Sequence, residues 1–424
     1  MNIELINTGS ELMLGRVVNS HQSWIGRELA GWGCVVTRQV AVGDSAPDIR
    51  AAVRDALGRA DLVIVTGGLG PTADDLTRDV IAELLGKELR EDKTIVARIE
   101  EFFAQRQRPM PPRTRVQALV PDGARVLANA HGTAPGLFME ASPNPLRPGG
   151  ERSWLAMLPG PPRELRPMFT EQLIPLLRQK LPPPTAFACR TLKTTGLGES
   201  LVEESIAGPL QPLTAAGLEV GYCAQVGAVE VRLLARGGEA QTTVARAEQI
   251  VRARIGQHIF GENDDQLETV VVRLLMEQRR TLATAESCTG GQLANRVTNV
   301  PGASAVFRCG WVTYGNEAKA ELLGVDGATL AAHGAVSEAV ARAMAEGARQ
   351  RGGVDYALAV TGIAGPTGGT PEKPVGTVFI ALAVEGNTVV LNPVNPYDRE
   401  TFKYVTSQQA LELLRRSLLG QMSA

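Results

Sequence analysis

Two apolar runs in this chain end in nearly the same loop, and that pairing constrains the architecture more than any other feature. Leu62-Val63-Ile64-Val65 leads into Thr66-Gly67-Gly68-Leu69-Gly70-Pro71-Thr72, and Val360 leads into Thr361-Gly362-Ile363-Ala364-Gly365-Pro366-Thr367. A short apolar run closed by glycine and proline reads as a buried strand followed by a tight loop. Glycines in such a loop let backbone amides approach an anion closely. The surroundings of the two loops do not match, so they are read as two loops built on the same physics and not as a duplicated segment.

The same grammar runs through most of the chain. Residues 1 to 170 read as strands over 3–6, 34–39, 62–65 and 155–158, with helices over 22–32 and 46–60 between them. That alternation predicts an α/β domain with a mostly parallel, doubly wound sheet and ligands at the carboxyl ends of its strands. Pro182-Pro183-Pro184 marks a break. Beyond it, helices over 199–206 and 242–255 and strands over 218–222 and 229–234 suggest a small α+β connector, and Gly261-Glu262-Asn263-Asp264-Asp265 reads as a polar linker. A second α/β region follows, with helices over 266–278, 290–298, 337–351 and 398–418 and strands over 281–285, 306–314, 355–360 and 375–384. The expected domains are therefore 1–170, 171–260 and 261–424.

Composition narrows the function classes. The 424 residues suffice for two or three separate cores. A net charge of −2, with no stripe of Lys and Arg, argues against a mainly electrostatic nucleic-acid binder. The five cysteines (34, 189, 223, 288 and 309) form no CxxC pair, which suggests neither a zinc site nor a disulfide framework and fits a reducing cytosol. Met1 to Gly9 has no basic leader, and no apolar run reaches the roughly 18–20 residues that span a bilayer. A soluble cytoplasmic protein without a membrane partner is expected.

Three constellations carry chemistry. In the first, the loop Gly67, Gly68, Gly70 precedes Asp74 and Asp75, with Asp44 after a further apolar run. Backbone amides and a helix start suit a phosphate, and the carboxylates suit a hard divalent ion beside it; an ordinary acidic βα turn is the plain alternative. In the second, Ala285-Glu286-Ser287-Cys288-Thr289-Gly290-Gly291 reads as strand, glycine turn and helix, holding Ser287 near free helix-end amides. Lys319 falls in the first turn of a later helix, where the helix dipole depresses its pKa. A lysine of that kind can serve as base for a serine, with the Tyr314 hydroxyl relaying or orienting the proton. An N-capping serine, a strand-end tyrosine and a solvated lysine are the competing readings. Cys288 rivals Ser287 but lacks a thiolate partner. The histidines lie outside the glycine motifs; His131, before Gly132, is the one to watch. In the third, Thr361 to Gly369 offers amides and hydroxyls without a carboxylate, and Arg399 and Lys403, one helical turn apart, could meet a phosphate.

These segments together resemble the competence/damage-inducible protein CinA family over nearly the whole chain. The resemblance is carried by Thr8-Gly9-Ser10-Glu11-Leu12-Met13-Leu14-Gly15, Thr66 to Asp75, Leu158-Pro159-Gly160-Pro161-Pro162-Arg163-Glu164, Ala285 to Gly291 and Thr361 to Gly369. It implies a molybdopterin-binding-like N-terminal domain linked to metal-dependent hydrolysis of ADP-ribose to AMP and ribose 5-phosphate. It also implies a KH-like middle domain, a C-terminal nicotinamide mononucleotide deamidase, and a homodimer. Ala207-Gly208-Pro209-Leu210 is not a GXXG clamp and no basic patch surrounds it, so no direct nucleic-acid contact is expected.

Carried onto this sequence, the resemblance makes Ser287 the nucleophile, Lys319 its base, Tyr314 the relay or orienting hydroxyl, and Arg399 a holder of substrate. Thr289, Gly290, Gly291, Thr361, Gly362, Gly365 and Gly368 would surround nicotinamide mononucleotide, with no cofactor required. In the first domain Thr66, Gly67, Gly68, Gly70 and Glu164 would surround ADP-ribose, and Asp44, Asp74 and Asp75 would hold Mg, Mn or Co. Position 403 departs from the family pattern: lysine stands where a second arginine is expected. A molybdopterin-binding module without hydrolysis, and a non-catalytic partner in competence or DNA repair, are the alternative functions.

Overall fold

The structure is a computed structural model that describes residues 1–141, 144–181 and 186–421. The proline break at 182–184 lies outside the described residues. Two compact units divide the chain, Met1–Phe187 and Ala188–Ala424.

In the first unit a six-stranded sheet runs in the order Val36–Val42, Ile3–Thr8, Leu62–Thr66, Ser153–Leu158, Gly136–Ala141, Arg125–Leu127. The first four strands are parallel and the last two join antiparallel. Both faces are covered, so the central strands are apolar on both sides. Leu62 and Ile64 pack with Ile25, Leu29 and Phe169, while Val63 and Val65 pack with Ile49, Val53 and Ile81. Register sets Asn7 opposite Thr66 and Thr66 opposite Leu158. Three carboxyl ends therefore stop level, and the loops at Gly9, Gly67 and Pro159 leave the sheet side by side.

The second unit holds two sheets. The five-stranded one runs Phe307–Val312, Leu282–Glu286, Tyr356–Gly362, Val378–Val384, Asn387–Leu391, with its first three strands parallel and the last two antiparallel. Helices Leu267–Glu277 and Arg399–Leu418 cover one face and Glu338–Gly352 the other. The four-stranded sheet runs Glu219–Gln225, Ala228–Arg236, Phe187–Thr194, Ile259–Glu262 and packs against helices Glu199–Ala215 and Ala240–Ile255.

Two expectations need correction here. The helix over 199–206 extends to Ala215 through Pro209 and Pro212. An interior proline costs about 3 kcal/mol. Val202, Ile206, Leu210 and Leu213 are all buried along one face, and each contributes about 1.5–3 kcal/mol. The expected linker at 261–265 begins as strand: Gly261 and Glu262 pair with Lys193 and Leu192. The Asp265 carboxylate then accepts the Glu262 N–H at 3.1 Å. Among the described residues no helix is long and apolar enough to cross a membrane.

Candidate functional site

Leu282–Glu286 is buried along its whole length and is flanked on both sides by parallel strands. It delivers Ser287 to its carboxyl end, where the Ser287 N–H extends the pairing by one residue to Val360 O at 2.9 Å. Helix Asn316–Leu323 brings Lys319 to the same point. Lys319 is 1% exposed. Its Nζ lies 3.2 Å from Ser287 Oγ, 2.9 Å from Thr313 O and 3.2 Å from Tyr314 O. A neutral amine has two protons and one lone pair. Gly315 O lies 3.5 Å away as well, so Nζ has three carbonyls and Ser287 Oγ around it. A neutral amine that donates to the nearest two keeps its lone pair for the serine O–H. Burial holds the Lys319 pKa below the ordinary lysine range, opposed by Cys288 and Glu317. Desolvation, which the sequence did not reveal, is thus the cause of the depression.

The expected free helix end beside Ser287 is already taken. Glu286, fully buried, accepts the N–H groups of Gly291 and Leu293 on Oε2 at 3.0 Å each and of Ala294 on Oε1 at 2.8 Å. It fills the amino end of helix Gln292–Thr298 from within the protein. The turn's other backbone bonds use the amides of Ser287, Gly290 and Gln292, and those of Cys288 and Thr289 face the Cys288 thiol. Sequence reasoning missed Glu286; its one signal is an acid ending an apolar strand shortly before a glycine turn.

The neighbours divide into site and scaffold. Gly290 and Gly291 adopt positive φ (61° and 93°), and a Cβ on Gly290 would sit 3.8 Å from Lys403 Nζ. Thr289 is fully buried and its hydroxyl finds no partner among the described residues, so it is part of the core. Thr361 is buried as well, its hydroxyl donating to Ala335 O at 2.8 Å. Gly362 abuts Thr377 O, 2.7 Å from where a Cβ would stand, and Gly368 takes φ 94°. Arg399 ties the third loop to the site, donating to Gly365 O at 2.9 Å and to the Tyr314 hydroxyl at 2.6 Å. Tyr314 is 59% exposed. Its carbonyl meets Lys319, and no hydrogen bond joins its hydroxyl to Ser287 or Lys319 among the described residues. The expected proton relay is therefore replaced by a brace between Tyr314 and Arg399. Burial pushes the Cys288 thiol up to about 12, so it stays protonated and unreactive at neutral pH.

The first unit carries a cavity of about 400 Å³ at the level strand ends. Gly67, Gly68, Gly70, Asp44, Asp74, Asp75 and Glu164 all line it. Thr66 does not: its buried hydroxyl accepts from Asn7 Nδ2 at 2.6 Å. Gly68 is packed so closely that a Cβ would fall 2.1 Å from Thr77 Oγ1. Asp44 accepts the Ser10 N–H at 2.7 Å, and Asp75 accepts the Thr72 N–H at 2.8 Å. The Thr72 hydroxyl lies between Asp74 and Asp75. Hydrogen bonding from that hydroxyl holds the Asp74 pKa below the usual carboxylate range. Glu164 supports the wall, accepting Asn129 Nδ2 at 2.7 Å beneath Gly132. His131 enters only through its backbone N–H, which donates to Asn129 Oδ1. Gln117, which the sequence did not single out, lines the cavity with Oε1 unpaired while Nε2 donates to Leu69 O. His21 binds Gly160 O through Nε2 and steadies the loop that follows Leu158.

Comparison with known proteins now bears on both regions. Residues 4–179 match the probable molybdopterin binding domain, 189–261 the damage-inducible protein CinA KH domain, and 264–418 the CinA C-terminal domain. The putative competence-damage inducible protein of Moorella thermoacetica is 46% identical over 424 residues, spanning 99% of this chain and 100% of its own. The chain belongs to the CinA family. The CinA-like protein of Akkermansia muciniphila is 44% identical over 412 residues, 97% of this chain and 96% of its own. Ser287, Lys319 and Arg399 all fall in the CinA C-terminal match, and the acidic cavity falls in the molybdopterin-binding match.

One feature expected of this CinA chain needs correction. Among the described residues no three His, Cys, Asp or Glu side chains converge to hold a metal ion. Asp44 is committed to the short helix Ser10–Met13, and Asp75 to its own loop. A three-aspartate cage is thus absent there. The donor set still suits a hard cation of the kind that takes one or two carboxylates and fills its remaining positions with phosphate oxygens and water.

Proposed function

We propose that the C-terminal region is an amidohydrolase that converts nicotinamide mononucleotide to nicotinate mononucleotide and ammonia. The buried contact of Lys319 Nζ with Ser287 Oγ at 3.2 Å carries this reading. Lys319 takes the Ser287 proton as Oγ bonds to the carboxamide carbon. Backbone amides of the turn after Ser287 would receive the developing oxygen charge. Lys319 then returns the proton to the departing nitrogen, ammonia leaves, and water cleaves the acyl-serine to release the acid. Arg399 and Lys403 would hold the nucleotide phosphate, Lys403 as a point charge without a bidentate grip.

The first unit is read as an ADP-ribose hydrolase yielding AMP and ribose 5-phosphate. A divalent cation (Mg, Mn or Co) bound there would polarise the diphosphate as a Lewis acid. Asp74 would hold it, with Asp75 beside it. The loop Gly67 to Gly70 would take phosphate oxygens. The clustering of Asp74, Asp75 and that loop on one cavity supports this half. A cytoplasmic homodimer completes the proposal.

The deciding experiment is ammonia release from nicotinamide mononucleotide by the wild type and Ser287→Ala, without added metal. Loss of at least about 1,000-fold is expected, as for other serine nucleophiles. An alanine variant that keeps its rate removes Ser287 from the chemistry. An inactive wild type removes deamidation itself.

A further inference from the structure

The acidic cavity is made for charge and offers little to a flat base. Among the described residues no aromatic side chain lines it, and Leu69 and Ala134 are its only aliphatic ones apart from prolines. A substrate with a purine nucleoside on one side of a diphosphate needs an apolar slot with a polar edge close by.

A second cavity, of about 350 Å³, has those properties. Ile95, Ile99 and Phe102 come from one face of helix Lys93–Ala104, at the i, i+4, i+7 spacing. Val126 joins them, and Arg98 supplies the polar edge. Arg106 lies over the Phe102 ring, 3.5 Å from its centroid, and steadies it. The two cavities meet at Thr133, which lines both. The loop between them is thin: Gly132 lines the second cavity, yet a Cβ on it would fall 2.1 Å from Oε2 of Glu164 in the first.

We propose that this second cavity binds the purine base of the nucleotide whose diphosphate occupies the first, with the nucleotide crossing over Thr133. The proposal rests on the ADP-ribose reading above and adds to it where the adenine is recognised. Phe102 is its chief apolar contact, and Arg98 is placed to read the polar edge of the ring.

Calorimetry on the full chain with Mg²⁺ present tests it, using AMP and ribose 5-phosphate as probes. Phe102→Ala should weaken AMP at least about tenfold, the worth of one aromatic contact. Ala130→Arg, at an exposed loop position that also lines the cavity, should do the same without touching the helix. Ribose 5-phosphate should keep its affinity within about twofold in both variants. With ADP-ribose, KM should rise while kcat holds. AMP binding unchanged in both variants, or lost together with ribose 5-phosphate, overturns the proposal. So does a wild type that ignores AMP but binds a reduced pterin. A wild type that binds AMP through Phe102 and leaves ADP-ribose intact upholds the base site and overturns only the hydrolytic reading.

Discussion

Lys319 concentrates the chemistry of the C-terminal site in one protonation state. A base works only when neutral, and burial lowers its pKa, so kcat/KM for nicotinamide mononucleotide should rise with pH and level off below the ordinary lysine range. Glu317 opposes that depression. Glu317→Gln should therefore move the rising limb to lower pH, and a limb that stays put or moves upward would remove Lys319 as the titrating base. The same shift has a stability sign. Between the lowered folded pKa and the higher unfolded one, the unfolded chain holds a proton that the folded chain lacks, so stability rises with pH across that window. Lys319→Met, inactive in the assay, should lack that slope in denaturant titrations.

At the scale of elements, Glu286 shows what a linear reading can and cannot supply. The strand, glycine turn and helix around Ser287 were legible because apolar runs and positive-φ glycines leave local marks. The occupied helix end was not, because it depends on a carboxylate reaching residues five, seven and eight positions ahead. The burial of Thr289 and Thr361 was not legible for a related reason: a threonine beside glycine reads the same whether its hydroxyl faces solvent, lies buried without a partner or meets a carbonyl. In the first unit Asp74 and Asp75 were legible from the glycine loop. Gln117 reaches the cavity only through tertiary packing, and no local pattern marks it. The main chain of Glu286 also joins two parts of the site, since its carbonyl oxygen accepts the Thr313 N–H at 2.8 Å and Thr313 O accepts Lys319. Glu286→Ala strands three helix amides, so a loss of about 2–4 kcal/mol in unfolding free energy is expected. Deamidation should fall further than the folded fraction explains. Full activity per folded molecule, measured by titrating the reactive serine, would mean the turn holds Ser287 without it.

At the scale of the whole molecule, the two proposed chemistries draw on separate parts of the chain. Every side chain assigned to the diphosphate reaction lies within Met1–Phe187, and every one assigned to deamidation within Ala188–Ala424. Each site stands where neighbouring parallel strands end, which is where an open α/β sheet leaves room for a ligand. Their electrostatic designs differ. The first presents carboxylates and glycine amides, and on the proposed reading a cation would have to bind before an anionic diphosphate could approach Asp74 and Asp75 without repulsion. The second presents a serine–lysine contact and, on the proposed reading, Arg399 would attract the phosphate unaided. Chelation should therefore separate them. Excess EDTA should abolish ADP-ribose cleavage and leave ammonia release within about twofold, because Lys319 supplies the proton transfer that a metal-bound water would otherwise provide. Asp74→Asn should reproduce the EDTA effect on ADP-ribose alone, and Ser287→Ala should silence deamidation alone. Ammonia release that collapses with EDTA, and returns with added Mg²⁺, would show that the serine–lysine pair does not act by itself.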